Sequence, residues 1–329
     1  MLSPPLTTPF RIGNVTVSNR VVLAPLAGIG NWFVRLQARR HGAGLAVSEM
    51  VSSIALAMGN RRTRTEILRI HPAEHPVSVQ LFGGDPAAMR EAAWIVADAG
   101  ADVIDLNLGC PVPKVCRTGA GAALLDEPDR AIELARAAAV PGLPVTAKLR
   151  SGIAPGDRSG FDLALRLAAE AGVAAIAFHP RSASDRHSGL PDYDLARELT
   201  ERAPVPVILS GGLRTVAATL EAHAHSGADA VMIARGALGY PWIFEELLRD
   251  RADPPAPHEI LAELGWTLDR ATEHWGPERA VRNLRKVYPH YLERLGLRGR
   301  ELDAVQRAPT LERVRALVGI DPAPLPVAA

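Results

Sequence analysis

The chain has 329 residues, 47% hydrophobic and 22% charged, close to the average of a folded globular protein. That composition excludes a disordered, fibrous or collagen-like chain. With 37 basic and 36 acidic residues the net charge is +1, so a nucleic-acid partner would have to be met by a local basic patch. Of the basic residues only three are lysine: Lys114, Lys148 and Lys286. Cys110 and Cys116 are the two cysteines, too few for a disulfide framework and without the neighbours of a zinc site. No metal is therefore expected. The segment Met1–Phe10 lacks the charged and apolar regions of a leader, and no apolar run reaches the ~18 residues of a membrane span. A cytoplasmic protein with no membrane contact is the expectation; no oligomeric interface is legible, and a monomer is assumed.

Eight short apolar runs follow one another along the chain: Val21–Ala24, Leu45–Met50, Val77–Phe82, Val103–Asn107, Val145–Leu149, Ala175–Phe178, Val205–Ser210 and Ala230–Ala234. Their apolar residues are consecutive, as in strands buried on both faces. Helical spacing fills the intervals, as in Pro86–Ala99, Pro128–Ala138, Phe161–Ala171 and Arg214–Ser226. Strands four, six and eight are entered through Gly100, Gly172 and Gly227, each placed to end the preceding helix in the left-handed conformation. Strands three, five and seven are entered through Pro76, Pro144 and Pro206. The pattern predicts a (β/α)8 TIM barrel over residues 1–250; a doubly wound open sheet is the alternative. Asp253–Pro257 reads as a stiff linker, and residues 251–329 as a small all-helical domain. Helices are predicted over His258–Trp275 and Glu278–Leu295, the second kinked or broken at Pro289, with a frayed tail over Asp321–Ala329.

In a barrel the chemistry lies at the C-terminal ends of the strands. Those ends carry Ala24–Gly28, Ser48–Met50, Gln80, Asn107 with Gly109-Cys110-Pro111, Lys148, His179 with Arg181, Ser210-Gly211-Gly212 and Ala234-Arg235-Gly236. The glycine turns after strands seven and eight are suited to a phosphate; the plainer alternative is a pair of tight turns. Lys148 suits a Schiff-base nucleophile or a fixed cation beside a ligand that becomes negative. His179 is positioned to hydrogen-bond the same ligand. Gln80 and Asn107 offer donor and acceptor groups to a heterocycle, or merely cap their strands. Cys110, with an ordinary thiol pKa of ~8.5, is mostly protonated near neutrality and able to act as an acid; an inert buried thiol is the alternative. Cys116 has no such context.

These segments resemble the tRNA-dihydrouridine synthase family. The resemblance rests on Ala24–Gly28, Ser48–Met50, Gln80, the stretch Asn107–Ala123, Lys148 in AKLRSG, His179 in FHPRS, Ser210–Gly212 and Ala234–Gly236. It spans the barrel and, more loosely, the helical tail. It implies an FMN-dependent reduction of the C5–C6 bond of uridine in tRNA, with NADPH as electron donor. Gln80, Lys148 and His179 would contact the flavin ring, and the backbone of Pro25, Leu26 and Ala27 would line it. Ser210, Gly211, Gly212, Ala234 and Arg235 would hold the phosphate. Asn107 would read the uracil edge, and Cys110 would protonate C5. The target base would leave its stack. Cys116 and Pro180 depart from the family pattern, which often has Asn and Gly there.

An RNA partner has independent support. Arg279–Arg300 holds seven basic residues against Glu293 alone, with Arg282, Arg285 and Lys286 at helical spacing and Tyr288 and Tyr291 nearby for stacking. Arg61, Arg62, Arg64 and Arg69 form a second cluster beyond strand two. Arg181, Arg282, Arg285 and Lys286 are the candidate substrate contacts. Two other functions fit parts of the pattern: an FMN barrel acting on a free pyrimidine, as dihydroorotate dehydrogenases do, and a non-catalytic RNA-binding barrel.

Overall fold

The computed structural model describes residues 3–321, so the tail expected to fray lies outside the described residues beyond Asp321. A hairpin of β1 (Phe10–Ile12) and β2 (Val15–Val17) comes first. The parallel strands follow: β3 (Val21–Leu23), β4 (Leu45–Val47), β5 (Val51–Ser52), β6 (Val77–Phe82), β7 (Val103–Leu108), β8 (Val145–Arg150), β9 (Ala175–His179), β10 (Val207–Ser210) and β11 (Ala230–Ile233). β3 pairs with both β4 and β11, and β4 pairs with β6, so the sheet closes on itself. Closure excludes the open doubly wound sheet. The predicted helices appear at Pro86–Asp98, Pro128–Ala138, Ser159–Glu170 and Val216–Ser226. Gly100, Gly172 and Gly227 all have positive φ where those helices end.

Strand side chains alternate between two layers. Val22, Leu45, Val103, Ala175, Ile208 and Ala230 fill the barrel interior together with Ile12 and Val17 of the hairpin, which plugs the N-terminal end. The opposite faces pack against the helices. The hairpin carried no recognised signal in the sequence. The run expected as one strand over Leu45–Met50 is interrupted after Val47. There Ser48 Oγ accepts the backbone N–H of Gln80 at 3.0 Å, and the chain leaves the ladder before resuming at β5. The interruption turns Glu49 and Met50 toward the barrel mouth.

Beyond the barrel lie helices Pro257–Trp275, Pro277–Asn283, Tyr288–Leu292, Arg300–Arg307 and Leu311–Val318. The helix expected over Glu278–Leu295 is divided by a tight turn at Leu284–Lys286. Pro289, which has no N–H to give, stands in the first turn of the next helix. These helices do not close a core alone. They share one with Trp32, Phe33 and Leu36 of the barrel's first helix and with Trp242. Polar contacts cross the same seam. Gln37 Nε2 donates to Glu263 Oε1 at 2.9 Å and to Tyr291 OH at 2.8 Å, and Arg279 grips Glu66 through both nitrogens at 3.0 and 2.6 Å.

One ion pair holds the loop that follows β3. Arg35 and Glu74 are both fully buried, joined at 2.6 and 2.9 Å, and Arg35 also donates to the carbonyl of Gly30 at 3.0 Å. Removing one partner leaves the other charge unpaired out of water. Glu74→Ala is therefore expected to cost about 3–5 kcal/mol in urea unfolding. A loss below about 1 kcal/mol would show that the pair does not hold this loop.

Candidate active site at the barrel mouth

The strand ends converge on one cavity of about 790 Å³, within the range of small-molecule sites. Pro25, Leu26 and Ala27 enter from β3, Gln80 from β6, Asn107 and Cys110 from β7, and Lys148 from β8. His179 and Arg181 enter from β9, Ser210, Gly211 and Gly212 from β10, and Ala234 and Arg235 from β11. All fourteen candidate residues of the barrel thus meet at one place. Arg282, Arg285 and Lys286 lie outside it.

The floor is a directed hydrogen-bond chain. Asp105 is buried beneath the mouth, two residues before Asn107 on β7 and hence on the same face. Its carboxylate accepts from Thr146 Oγ1 at 2.6 Å and from Gln80 Nε2 at 2.7 Å. Burial raises its pKa, and those two donors oppose the shift. With the Gln80 nitrogen turned to Asp105, its oxygen accepts from Asn107 Nδ2 at 2.8 Å. Asn107 Oδ1 in turn accepts the backbone N–H of Cys110 at 3.0 Å and that of Gly109 at 3.3 Å.

The Cys110 loop is clamped from two more sides. Arg150 donates from Nε to the Gly109 carbonyl at 3.0 Å and from Nη1 to the Ser182 carbonyl at 2.8 Å. The Cys110 carbonyl accepts from Ala122 N at 3.0 Å and from the Cys116 thiol at 3.3 Å. Cys116 thus has a structural use that its sequence context did not show. The Cys110 thiol is half-buried, and burial pushes its pKa up. It is held as a neutral acid.

Around this loop the cavity is cationic. Lys148 has no hydrogen-bond partner among the described residues, and burial, aided by Arg150, lowers its pKa to about 8. His179 accepts a hydrogen bond at Nε2 from Arg181 Nη1 at 3.1 Å, which places its own proton on Nδ1. Burial and the neighbouring cations hold the ring neutral. Its face lies 6.2 Å from the ring of His187, whose pKa falls to about 4 through burial. Gly211 and Gly212 have φ of +97° and +81°. A side chain at 211 would collide with the His179 ring. Arg214 and Arg235 reach the same end of the cavity, and neither has an acidic partner among the described residues. The buried Nε of Arg181 is likewise without a partner. Backbone turns and unpaired guanidinium groups of this kind make a seat for an anion.

The family model described as "Dihydrouridine synthase (Dus)" matches residues 22–308. The chain belongs to the dihydrouridine synthase family. It is 37% identical over 292 residues to tRNA-dihydrouridine synthase B of Pseudomonas aeruginosa, covering 87% of each chain. It is 36% identical over 292 residues to the protein of the same name from Escherichia coli, covering 86% of this chain and 90% of that one. Among solved structures the barrel is similar to morphinone reductase in complex with tetrahydroNAD. That match has a TM-score of 0.56 at 17% identity, covering 78% of this chain and 94% of the other. It is also similar to a 2-naphthoyl-CoA reductase, with a TM-score of 0.60 at 14% identity, covering 75% and 52%. At that identity the likeness is one of fold.

This family member differs in several ways from what its sequence suggested. Tyr288 and Tyr291 are buried in the seam core, so neither is free to stack on a base. Tyr291 OH is held by Gln37. Lys286 Nζ bonds the carbonyl of Gly28, beside Glu49, whose carboxylate accepts the Gly28 N–H at 2.8 Å. The lysine therefore braces the loop after β3 with one of its three donors, and its side chain stays exposed. Arg279 and Arg69 are engaged by Glu66 and Glu273, and Arg294 lies 3.9 Å over the Tyr240 ring. Arg282 and Arg285 are exposed without acidic partners among the described residues. The two basic clusters meet, since Arg62, Arg279 and Arg282 line one shallow depression around Glu66.

Asp105, Arg150, His187, Arg214 and His290 also stand at or under the mouth, beyond the residues that the sequence pattern marks. Asp105 had a signal in its two-residue spacing from Asn107, and Arg150 and Arg214 in their nearness to Lys148 and the glycine pair. Burial disfavours the Cys110 thiolate, so alkylation, which requires it, should rise only at high pH. Iodoacetamide labelling followed at the Cys110 peptide is expected to reach half its maximal rate above the ~8.5 of a free thiol. A midpoint at or below that value contradicts a protonated acid.

Proposed function

We propose that this dihydrouridine synthase family member reduces the C5–C6 double bond of uridines in tRNA to 5,6-dihydrouridine, in the cytoplasm, with FMN as cofactor and NADPH as electron donor. The observation that carries the reading is the meeting, in one cavity, of a clamped neutral thiol and an unpaired cationic seat. The names of the bacterial relatives support tRNA as the substrate.

The residues fit FMN. Gly211 and Gly212 with Arg235 and Arg214 suit its phosphate, and Lys148, the Nδ1–H of His179 and the remaining Gln80 N–H suit the polar edge of its ring. Pro25, Leu26 and Ala27 offer an apolar wall. Bound there, the reduced cofactor would supply the hydride that C6 of the uracil receives.

The chain's own part is proton transfer and positioning. Cys110 gives its thiol proton to C5, and Arg150 and Lys148 stabilise the thiolate that remains until water returns the proton. Asn107 sets the height of the thiol through the loop. One N–H of its amide goes to Gln80 and the other meets only the Met50 sulfur at 3.8 Å, so a donor remains for a carbonyl on the uracil edge. Arg181 shapes the wall through His179 and the Gly189 carbonyl. The exposed Arg282 and Arg285, on the seam beside Arg62, suit RNA phosphates. A free-pyrimidine reductase would have no use for that surface, and a non-catalytic RNA binder would have none for the thiol and its clamp.

The test is to map dihydrouridine by mass spectrometry in tRNA from a strain lacking the gene, complemented with parent or Cys110→Ala protein. The parent restores dihydrouridine at particular positions. Cys110→Ala is expected to bind FMN and oxidise NADPH while forming dihydrouridine 10²–10⁴-fold more slowly, the range for a lost general acid. Full yield from Cys110→Ala would sink the acid role, and a parent protein that stays colourless with added FMN would favour the non-catalytic reading.

A further inference from the structure

The helical end of the chain sends one side chain into the cavity. Among the described residues that line it, His290 alone comes from beyond Leu238. It stands in the short helix Tyr288–Leu292, flanked by two tyrosines that are buried in the seam. Its backbone is fixed. Gly239, with φ of +62°, lies so close that any side chain there would collide with the His290 carbonyl and the following nitrogen. On the other side Tyr291 is tied through its hydroxyl to Gln37 of the barrel. The imidazole itself makes no hydrogen bond among the described residues. Burial lowers its pKa, with Glu293 opposing and Arg294 adding to the shift, so near neutrality it offers one N–H donor and one acceptor nitrogen.

Five of the other polar groups of the cavity serve two tasks. Gln80 and Asn107 hold the floor, and Arg181, Arg214 and Arg235 supply the cationic charge that a phosphate demands. A neutral imidazole is poorly suited to a phosphate and well suited to a group that both donates and accepts. In RNA the ribose 2′-hydroxyl is such a group, and it is what distinguishes RNA from DNA at a given site. A uridine drawn out of its stack to reach Cys110 carries its sugar into the cavity behind it.

We propose that His290 contacts the target nucleotide by hydrogen bonding to its ribose 2′-hydroxyl, so that the helical part of the chain selects for RNA inside the active-site cavity. This rests on the reading above that tRNA is the substrate. The ring does not contribute to the Gly239 contact, which is made by backbone, so truncating it leaves the seam in place.

The test pairs a protein change with a substrate change. Parent, His290→Ala and His290→Gln proteins are assayed with FMN and NADPH on two tRNAs, one all-ribose and one with 2′-deoxyuridine at the mapped position. On the all-ribose tRNA, His290→Ala is expected to lower kcat/KM about tenfold, the scale of one buried hydrogen bond. The deoxy substitution should cost the parent a similar factor and His290→Ala nothing further. His290→Gln, which keeps a donor and an acceptor, should recover most of the loss. Losses that multiply, no loss in His290→Ala, or an equal loss in His290→Gln would overturn the proposal. If the parent forms no dihydrouridine on either tRNA, the functional reading itself falls and takes this inference with it.

Discussion

A single buried carboxylate determines how the mouth of this barrel is arranged. Asp105 has no ion-pair partner among the described residues, and its two oxygens are satisfied by Thr146 and Gln80. An amide has a nitrogen and an oxygen end, and Asp105 accepts only from the nitrogen. That choice turns the Gln80 oxygen toward Asn107, whose own oxygen is thereby left to cap the Cys110 loop. Each link is an ordinary hydrogen bond, worth about 1 kcal/mol net, but a buried polar group left unpaired costs more than a made bond returns. The chain therefore has one favoured direction, and the thiol at its end has one height above the floor.

The rest of the site depends on that direction being kept while the walls come from elsewhere. Arg150 links the Cys110 loop to the loop after β9, so two strand ends move together. The loop after β3 is braced on three sides: by Arg35 from beneath, by Glu49 from β4's interrupted end, and by Lys286 from the helical part. Because the helices after Pro257 share their core with Trp32, Phe33 and Leu36, they are a wall of the barrel as much as an appendage to it. Removing them would expose that core, which explains why a simple truncation is a poor way to separate nucleic-acid binding from catalysis here.

The barrel was legible because strands buried on both faces leave consecutive apolar residues, and glycines mark where helices end. Site residues were legible for the same reason: in this architecture position along a strand fixes position in space, so Gln80, Asn107, Lys148 and His179 converge by virtue of ending their strands. What failed was outside that rule. Tyr288 and Tyr291 read as exposed because their helix is short and its buried side faces a partner remote in sequence. The brace from Lys286 was not legible because nothing local reveals the Gly28 carbonyl across the seam. Two of the three lysines have separate uses, Lys148 facing the cavity and Lys286 bracing a loop, whereas Lys114 is exposed with no partner among the described residues. Asp105 is hard to read from sequence because its pairing is with two neutral groups, Thr146 and Gln80, and not with a cation.

The central claim is that the clamped thiol and the cationic seat serve one reduction on RNA. It is tested most directly in a single turnover without oxygen. The protein is loaded with FMN, reduced by NADPH, freed of excess nucleotide and mixed with tRNA that carries no modifications. The account predicts reoxidation of the flavin with one dihydrouridine formed per flavin, and no such reoxidation by free uridine or other free pyrimidines. A flavin that stays reduced with tRNA, or that a free pyrimidine reoxidises as readily, would contradict it.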